Sequence, residues 1–82
     1  MWTTSRYAPK AIRVLALALS NAFSGNYVSR GKKKLDELVE EARKNGEERI
    51  FLLDNKRTIG IINVDEIGKW DWLAEQVEIH EE

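Results

Sequence analysis

Residues 50–64, with the sequence IFLLDNKRTIGIINV, predict a β-hairpin at the centre of the fold. Apolar and β-branched residues fill the two runs 50–54 and 58–64, and the polar residues 54–57 form the turn between them. Gly60 interrupts the second run and predicts a bulge there. A hairpin with this many apolar side chains must be covered by other layers, which the preceding segments have to supply.

The first predicted helix begins after Pro9 and covers residues 10–23. Proline suits the first position of a helix, and apolar residues then recur at helical spacing. The core stripe of this helix is Ile12, Leu15, Leu19 and Phe23. Further apolar residues lie outside that stripe, at Val14, Leu17 and Ala18. The helix is therefore either covered on two sides within the domain or in contact with another chain on one side.

A second helix is predicted over residues 32–45, with Gly46 as its C-terminal cap. Residues 1–5 and 27–29 favour two short strands. After Asp65 the pattern weakens, and alternation around residues 70–73 and 77–79 favours a short extended segment. The element order β-α-β-α-β-β, with a short terminal strand, predicts a single small layered α/β domain over residues 1–82. Within it, residues 65–82 form an acidic C-terminal segment whose conformation the sequence leaves open.

Length and composition narrow the function. The chain has 82 residues, no cysteine and one histidine, which excludes disulfides, thiol nucleophiles and cysteine-ligated zinc. No apolar run is long enough to span a membrane and no leader peptide opens the chain, so we expect a soluble cytoplasmic protein. His80 has no nucleophile near it, and no phosphate-loop or dinucleotide motif occurs. We therefore expect no enzyme activity, cofactor, metal or small-molecule substrate.

Charge is divided between the two halves of the chain. Residues 1–34 contain seven bases and no acid, whereas residues 47–82 contain ten acids and four bases. Such asymmetry is typical of proteins that contact nucleic acid or that associate through oppositely charged faces. Chance segregation of charge on a solvated surface is an equally good interpretation of composition alone.

The first candidate binding cluster is TTSRYAPK, residues 3–10, where a strand leads into the start of a helix. Free N–H groups and the positive end of the helix dipole favour an anion at such a place. The candidate residues are Thr4, Ser5, Arg6, Lys10 and, one turn further on, Arg13. The alternative is that Ser5 or Thr4 caps the helix and that Arg6 covers apolar surface.

The second candidate cluster is SRGKKK, residues 29–34, at the other strand-to-helix junction. Its candidate residues are Arg30, Gly31, Lys32, Lys33 and Lys34. Lysines in a first helical turn oppose the dipole by about 0.3–1 kcal/mol each, and an anionic partner would reverse that sign. Bases beside a flexible glycine suit contacts to a phosphate backbone. The alternative is a solvated charge run, but two such junctions of one sheet can open at the same edge.

Trp70 and Trp72 lie on one face of the chain if that segment is extended. Such a pair could stack on RNA bases. More often, a pair of this kind closes a core or packs against a neighbouring subunit, and the acidic surroundings favour that second interpretation.

The motifs TTSR at 3–6 and YVSRGKK at 27–33, followed by LDEL at 35–38, resemble the opening half of a Brix domain of archaeal ribosome-biogenesis proteins. The resemblance covers residues 3–64. It implies an α/β half-domain similar to the anticodon-binding domains of class II aminoacyl-tRNA synthetases. It also implies binding of ribosomal RNA through Arg6, Arg30 and residues 32–34. A Brix domain has two similar halves and this chain has the length of one, so a homodimer would restore the two-half arrangement.

Together these observations predict a non-enzymatic ribosome-biogenesis factor that binds ribosomal RNA through its basic N-terminal half. Ribosomal or processing proteins would be further partners. The alternative is a protein-interaction module, in which the acidic, tryptophan-containing C-terminal half docks a basic ribosomal or processing protein. The two hypotheses differ in which half of the chain contains the residues whose substitution weakens binding.

Overall fold

The structure is a computed structural model that describes residues 1–65, 69–72 and 77–78. Its elements are β1 (Trp2–Thr4), α1 (Lys10–Ala22), α2 (Leu35–Lys44), β2 (Arg49–Leu53), β3 (Thr58–Val64), β4 (Trp70–Trp72) and β5 (Val77–Glu78). The predicted α/β class is confirmed. His80 lies outside the described residues, as does most of the acidic segment after Asp65. Within the described part of the chain, no helix is long and apolar enough to cross a membrane.

The strand predicted at residues 27–29 is reduced to one parallel bridge between Trp2 and Tyr27. The amide of Val28 donates to the carbonyl of Trp2, so a continued ladder would next use the amide of Arg30 and the carbonyl of Thr4. That carbonyl instead accepts a bond from the Arg30 side chain, at 3.0 Å. The prediction of a strand was wrong because a guanidinium group replaces the backbone donor.

The sheet is mixed and has the order β1-β2-β3-β4. β1 runs parallel to β2, and the predicted hairpin of β2 and β3 is antiparallel, with Ile50 opposite Ile62. β4 and β5 both pair with β3 in antiparallel register. The register runs without interruption through Gly60, which lies opposite Leu52, so the predicted bulge is wrong.

Each face of the sheet is covered by one helix. Side chains alternate along the hairpin, so Ile50 and Ile62 contact α2, whereas Leu53 and Ile59 belong to the cluster under α1. The core against α2 also contains Leu38, Val39 and Ala42, and the core against α1 contains Trp2, Ile12 and Ala16. Because the helices lie on opposite faces, the hairpin contributes side chains to both cores, but Phe51 and Ile61 on the face of α1 stay half-buried.

The buried face of α1 differs from the predicted stripe. Ile12, Ala16 and Ser20 are buried, Leu15 and Leu19 are half-buried, and Phe23 is 69% exposed. Phe23 lies beyond the helix, which ends at Ala22, and its ring stacks on Trp2 with 5.8 Å between the ring centroids. The prediction placed Phe23 in the core because it assumed that helical spacing continued for one more residue.

The start of α2 also differs from the prediction. The helix begins at Leu35 with Lys34 as its N-cap, so the three lysines precede it rather than occupy its first turn. The first turn contains Asp36 and Glu37, which the positive end of the helix dipole stabilises. The prediction that the three lysines occupy the first turn was therefore wrong, although Lys34 still lies at the positive end of the dipole as the N-cap.

The two tryptophans of β4 lie on the face of the sheet that α2 covers. Trp70 is half-buried against the core under α2. The Trp72 ring lies over Gly60, where a Cβ atom would come within 2.6 Å of the indole Cζ3, and Trp72 remains 44% exposed. Trp70 thus closes a core, as one of the two interpretations predicted, and Gly60 provides room for the neighbouring ring.

Candidate functional site

Two loops meet beside the start of α1 and line one open cleft of about 260 Å³. One loop follows β1 and the other precedes α2. We call this the basic cleft, and its lining residues are Thr4, Ser5, Tyr7, Ala8, Arg13, Ser29, Arg30, Gly31 and Lys32. No carboxylate lines it, and no group of His, Asp or Glu side chains in the described residues could hold a metal ion. Its charge therefore suits an anion rather than a cation.

Arg30 joins the two loops. It is only 7% exposed, and its Nη1 and Nε atoms donate to the carbonyl oxygens of Thr4 and Lys33, at 3.0 and 2.7 Å. The amide of Lys33 donates back to the carbonyl of Arg30, and Gly31 turns the chain with a φ of 54°. Because both of its bonds go to backbone, Arg30 holds the walls of the cleft at a fixed separation.

The positive charges of the cleft are not balanced by any carboxylate among its lining residues. Burial lowers the pKa of the Arg30 guanidinium, and the charge of the nearby Arg6 lowers that pKa further. An arginine keeps its charge at neutral pH despite such a shift. The two guanidinium groups therefore repel each other, and an anion bound between them would offset that repulsion.

The hydroxyl groups at the end of β1 do not cap α1. The Thr4 hydroxyl donates to the carbonyl of Ser5 at 3.1 Å, and the Ser5 hydroxyl donates to Asn55 Oδ1 at 3.2 Å. The N-cap of α1 is Pro9, which lacks a side-chain cap. Capping by Thr4 or Ser5, one of the two interpretations of this cluster, is therefore not what the structure shows.

The first turn of α1 presents its positive end beside the cleft. It contains no acidic residue, and Arg13 lines the cleft from this turn. Tyr7 adopts a φ of 60° and is 75% exposed at the rim. The Arg6 guanidinium lies 5.6 Å from the centre of the Tyr7 ring, which places a second exposed cation at the same rim. Exposed charge and an exposed ring next to a helix start form a surface suited to phosphate.

The ten candidate residues from the sequence separate into two groups. The structure brings six of them together in the cleft: Thr4, Ser5, Arg13, Arg30, Gly31 and Lys32. Arg6 lies near the rim, and Lys34 is exposed at the start of α2. Lys33 forms an ion pair with Glu41 at 3.1 Å, and Lys10 lies on the other flank of α1 beside Arg57. The spacing of the lysines in the sequence does not show which of them line the cleft. The chain turns at Arg30 and Gly31, so consecutive side chains point in different directions.

Three lining residues, Tyr7, Ala8 and Ser29, were missing from the predicted site. Tyr7 and Ala8 lie inside the first cluster, between Arg6 and Pro9, and Ser29 opens the second. The available signal for Tyr7 and Ala8 was their position between Arg6 and Lys10, and for Ser29 it was a hydroxyl group next to Arg30.

The mixed sheet, the helix on each face and the cleft between the two loops define a small mixed α/β domain. The crystal structure of Mil, an archaeal Imp4-like protein, superimposes on this chain with a TM-score of 0.68 and 26% sequence identity. The match covers 84% of this chain and 45% of that protein, so the chain spans less than half of its length. The predicted resemblance to the Brix family is thereby confirmed. A scan against protein-family models and a search of curated proteins found no match.

Proposed function

We propose that this protein is a non-enzymatic ribosome-biogenesis factor that binds ribosomal RNA in the basic cleft. The observation that carries the proposal is the convergence of Arg13, Arg30 and Lys32 on a cleft without any carboxylate. The structural likeness to an Imp4-like protein supports a role in ribosome biogenesis. Cytoplasmic localisation, and ribosomal or processing proteins as additional partners, belong to the same proposal.

Within the cleft, the residues have different roles. Arg13 and Lys32 line the opening and are exposed, so they contact phosphate oxygens directly. Arg30 is a positioning residue, because its bonds to the backbone keep the two loops together. Arg6 contributes charge at the rim. Contacts of this kind go to the phosphate backbone, so we expect affinity without strong preference for base sequence.

The double substitution Arg13→Ala and Lys32→Ala tests this proposal. Binding to a labelled ribosomal-RNA fragment is measured by fluorescence anisotropy at salt concentrations from about 50 to about 300 mM. Loss of two phosphate contacts lowers the slope of log affinity against log salt by about 1.4 for single-stranded RNA. Affinity for an unrelated RNA falls by a similar factor, because the lost contacts carry no sequence information.

Lys33→Ala is the matched control, since it removes the same charge from the next residue in the chain. Lys33 is paired with Glu41, so we expect a much smaller change in slope than for Lys32→Ala. Equal effects of the two lysine substitutions would show that only net charge matters. An unchanged slope in the double variant would remove the basic cleft from the RNA site.

The second candidate function is docking of a basic protein by the acidic half of the chain. The observation that favours it is the 44% exposure of Trp72, which lies in one strand with the exposed Asp71. Under this alternative, Trp72→Ala weakens capture of a basic ribosomal protein and leaves RNA binding intact. Loss of RNA affinity in the Arg13 and Lys32 double variant, with no effect of Trp72→Ala, would reject it.

We also propose that residues 1–82 act as one half-domain and that two copies of this half-domain associate as a homodimer. Support comes from the length of the structural neighbour, of which this chain covers 45%. A second unit of the same size brings the assembly close to that length. The domain division and the pairing are tested by the mass of the protein in solution.

A further inference from the structure

One flank of α1 is apolar and largely exposed, and Lys10 and Arg57 border it. Its residues, which we call the apolar flank, are Ala11, Val14, Leu15, Ala18 and Ala22. At 100° per residue they fall within about 100° of arc on the helix surface. Val14 is 56% exposed, and Leu15 is half-buried because it also contacts the core under α1. Monomeric proteins seldom leave a contiguous apolar stripe of this kind open to water.

The charges at the start of α1 are the reverse of what an isolated helix favours. The first turn contains no acid and the last turn contains no base. Lys10 and Arg13 lie at the positive end of the dipole, where they are repelled. In an antiparallel pair, Lys10, which borders the apolar flank, lies beside the C-terminal carbonyls of the other helix, which carry the negative end of the dipole. Antiparallel pairing with an identical helix thus places a base at the C-terminal end of each helix, whose own last turn has none.

We propose that the apolar flank of α1 is the dimerisation surface, packed antiparallel on the same flank of a second copy of this chain. This inference rests on the homodimer in the proposed function and deepens it by naming the surface. Three of its five residues are alanines, which permit the close helix approach of about 8 Å. Arg13 lies about 150° around the helix from the middle of the flank, so dimerisation leaves the basic cleft open.

Ala18→Glu tests the surface, because it places two like charges near the two-fold axis of the pair. Light scattering or sedimentation at micromolar concentration gives about 19 kDa for the dimer, twice the 9.5 kDa of the chain, and 9.5 kDa for the variant. Leu17→Glu is the matched control on the same helix. Leu17 is 45% exposed and lies about 110° around the helix from the middle of the flank, outside its arc, so this variant stays dimeric. Circular dichroism checks that both variants keep their helices.

Cysteine cross-linking tests the antiparallel orientation, since the chain contains no cysteine of its own. With the axis at the middle of the flank, Ala11 faces the Ala22 position of the second copy. The double variant Ala11→Cys and Ala22→Cys therefore forms a covalent dimer on mild oxidation. Ala11→Cys alone does not, because the two copies of that residue lie about 16 Å apart along the helix axis.

The outcomes separate this inference from the RNA proposal. A mass of 9.5 kDa for the unsubstituted protein overturns the dimer, whatever the RNA affinity. A dimer that persists in Ala18→Glu overturns the surface, and efficient cross-linking of Ala11→Cys alone overturns the antiparallel orientation. If the unsubstituted protein is a dimer, Ala18→Glu is a monomer and no salt-dependent RNA binding is found, the surface is supported and only the function of the cleft is refuted.

Discussion

Replacing Arg30 by methionine removes the one side chain that connects the end of β1 with the turn before α2. Methionine keeps most of the aliphatic volume, so the packing of this buried position changes little. What is lost is the pair of bonds to the carbonyl oxygens of Thr4 and Lys33. The Thr4 carbonyl is left buried without this partner, since the residue is 2% exposed.

The expected loss in the free energy of unfolding follows from these two hydrogen bonds. A hydrogen bond from a charged donor contributes about 1.5–3 kcal/mol, and an unsatisfied buried acceptor costs about 1–3 kcal/mol. Removing the charge regains part of this, because burial and the neighbouring Arg6 disfavour the charged guanidinium, as its lowered pKa indicates. We expect a net loss of about 2–4 kcal/mol. A domain of this size has a free energy of unfolding of about 4–12 kcal/mol, so the loss is a large fraction.

Urea unfolding followed by tryptophan fluorescence measures this loss as a shift in the midpoint, with the slope of the transition checked for constancy. Arg6→Met is the matched control, since Arg6 is exposed and its removal should change the free energy of unfolding by less than about 0.5 kcal/mol. If Arg30→Met also stays within about 0.5 kcal/mol of the original protein, the bonds of Arg30 do not hold the cleft together and its assigned positioning role is refuted.

Two further predictions concern the sheet and α2. Gly60→Ala places a Cβ atom 2.6 Å from the Trp72 ring, so the ring must move. We expect the free energy of unfolding, measured with urea, to fall by about 1–3 kcal/mol and the tryptophan emission to change. Unchanged emission would contradict this contact. The Arg43 side chain holds the pKa of Glu40 below its ordinary value, mainly by a hydrogen bond. The pair therefore contributes stability at pH values above the ordinary glutamate pKa, and this stability is lost as the pH falls through the lowered pKa of Glu40. Arg43→Gln should therefore raise the Glu40 pKa in a titration followed by NMR, and an unmoved pKa would show that the pair does not form.

Local pattern was sufficient for the main elements. The hairpin of β2 and β3 was predictable because its strands are dense in β-branched residues and its turn residues are adjacent in sequence. The start of α1 was predictable from Pro9, which favours the beginning of a helix. These features depend on interactions within a few residues, and such interactions are visible in the order of residue types.

The composition of the site was only partly predictable for the same reason. Charge and glycine content located both loops, and the structure brings most of the candidate residues of those loops into one cleft. The different roles of Lys32 and Lys33 were not visible in the sequence, because they depend on the ion pair between Lys33 and Glu41, which lies in the second turn of α2. The direct role of either lysine in RNA binding remains a prediction of the proposed function.

The sequence by itself determined the α/β class, the hairpin, the two amphipathic helices and the basic character of the first half of the chain. Only the tertiary structure decided that Arg30 replaces a strand donor, that Gly60 makes room for a tryptophan ring and that the two flanks of α1 differ. The physical reason is that these three features depend on distant partners: the carbonyl of Thr4, the ring of Trp72 and the sheet beneath α1. Residues far apart in the chain meet only when the sheet has formed, so no local pattern records them.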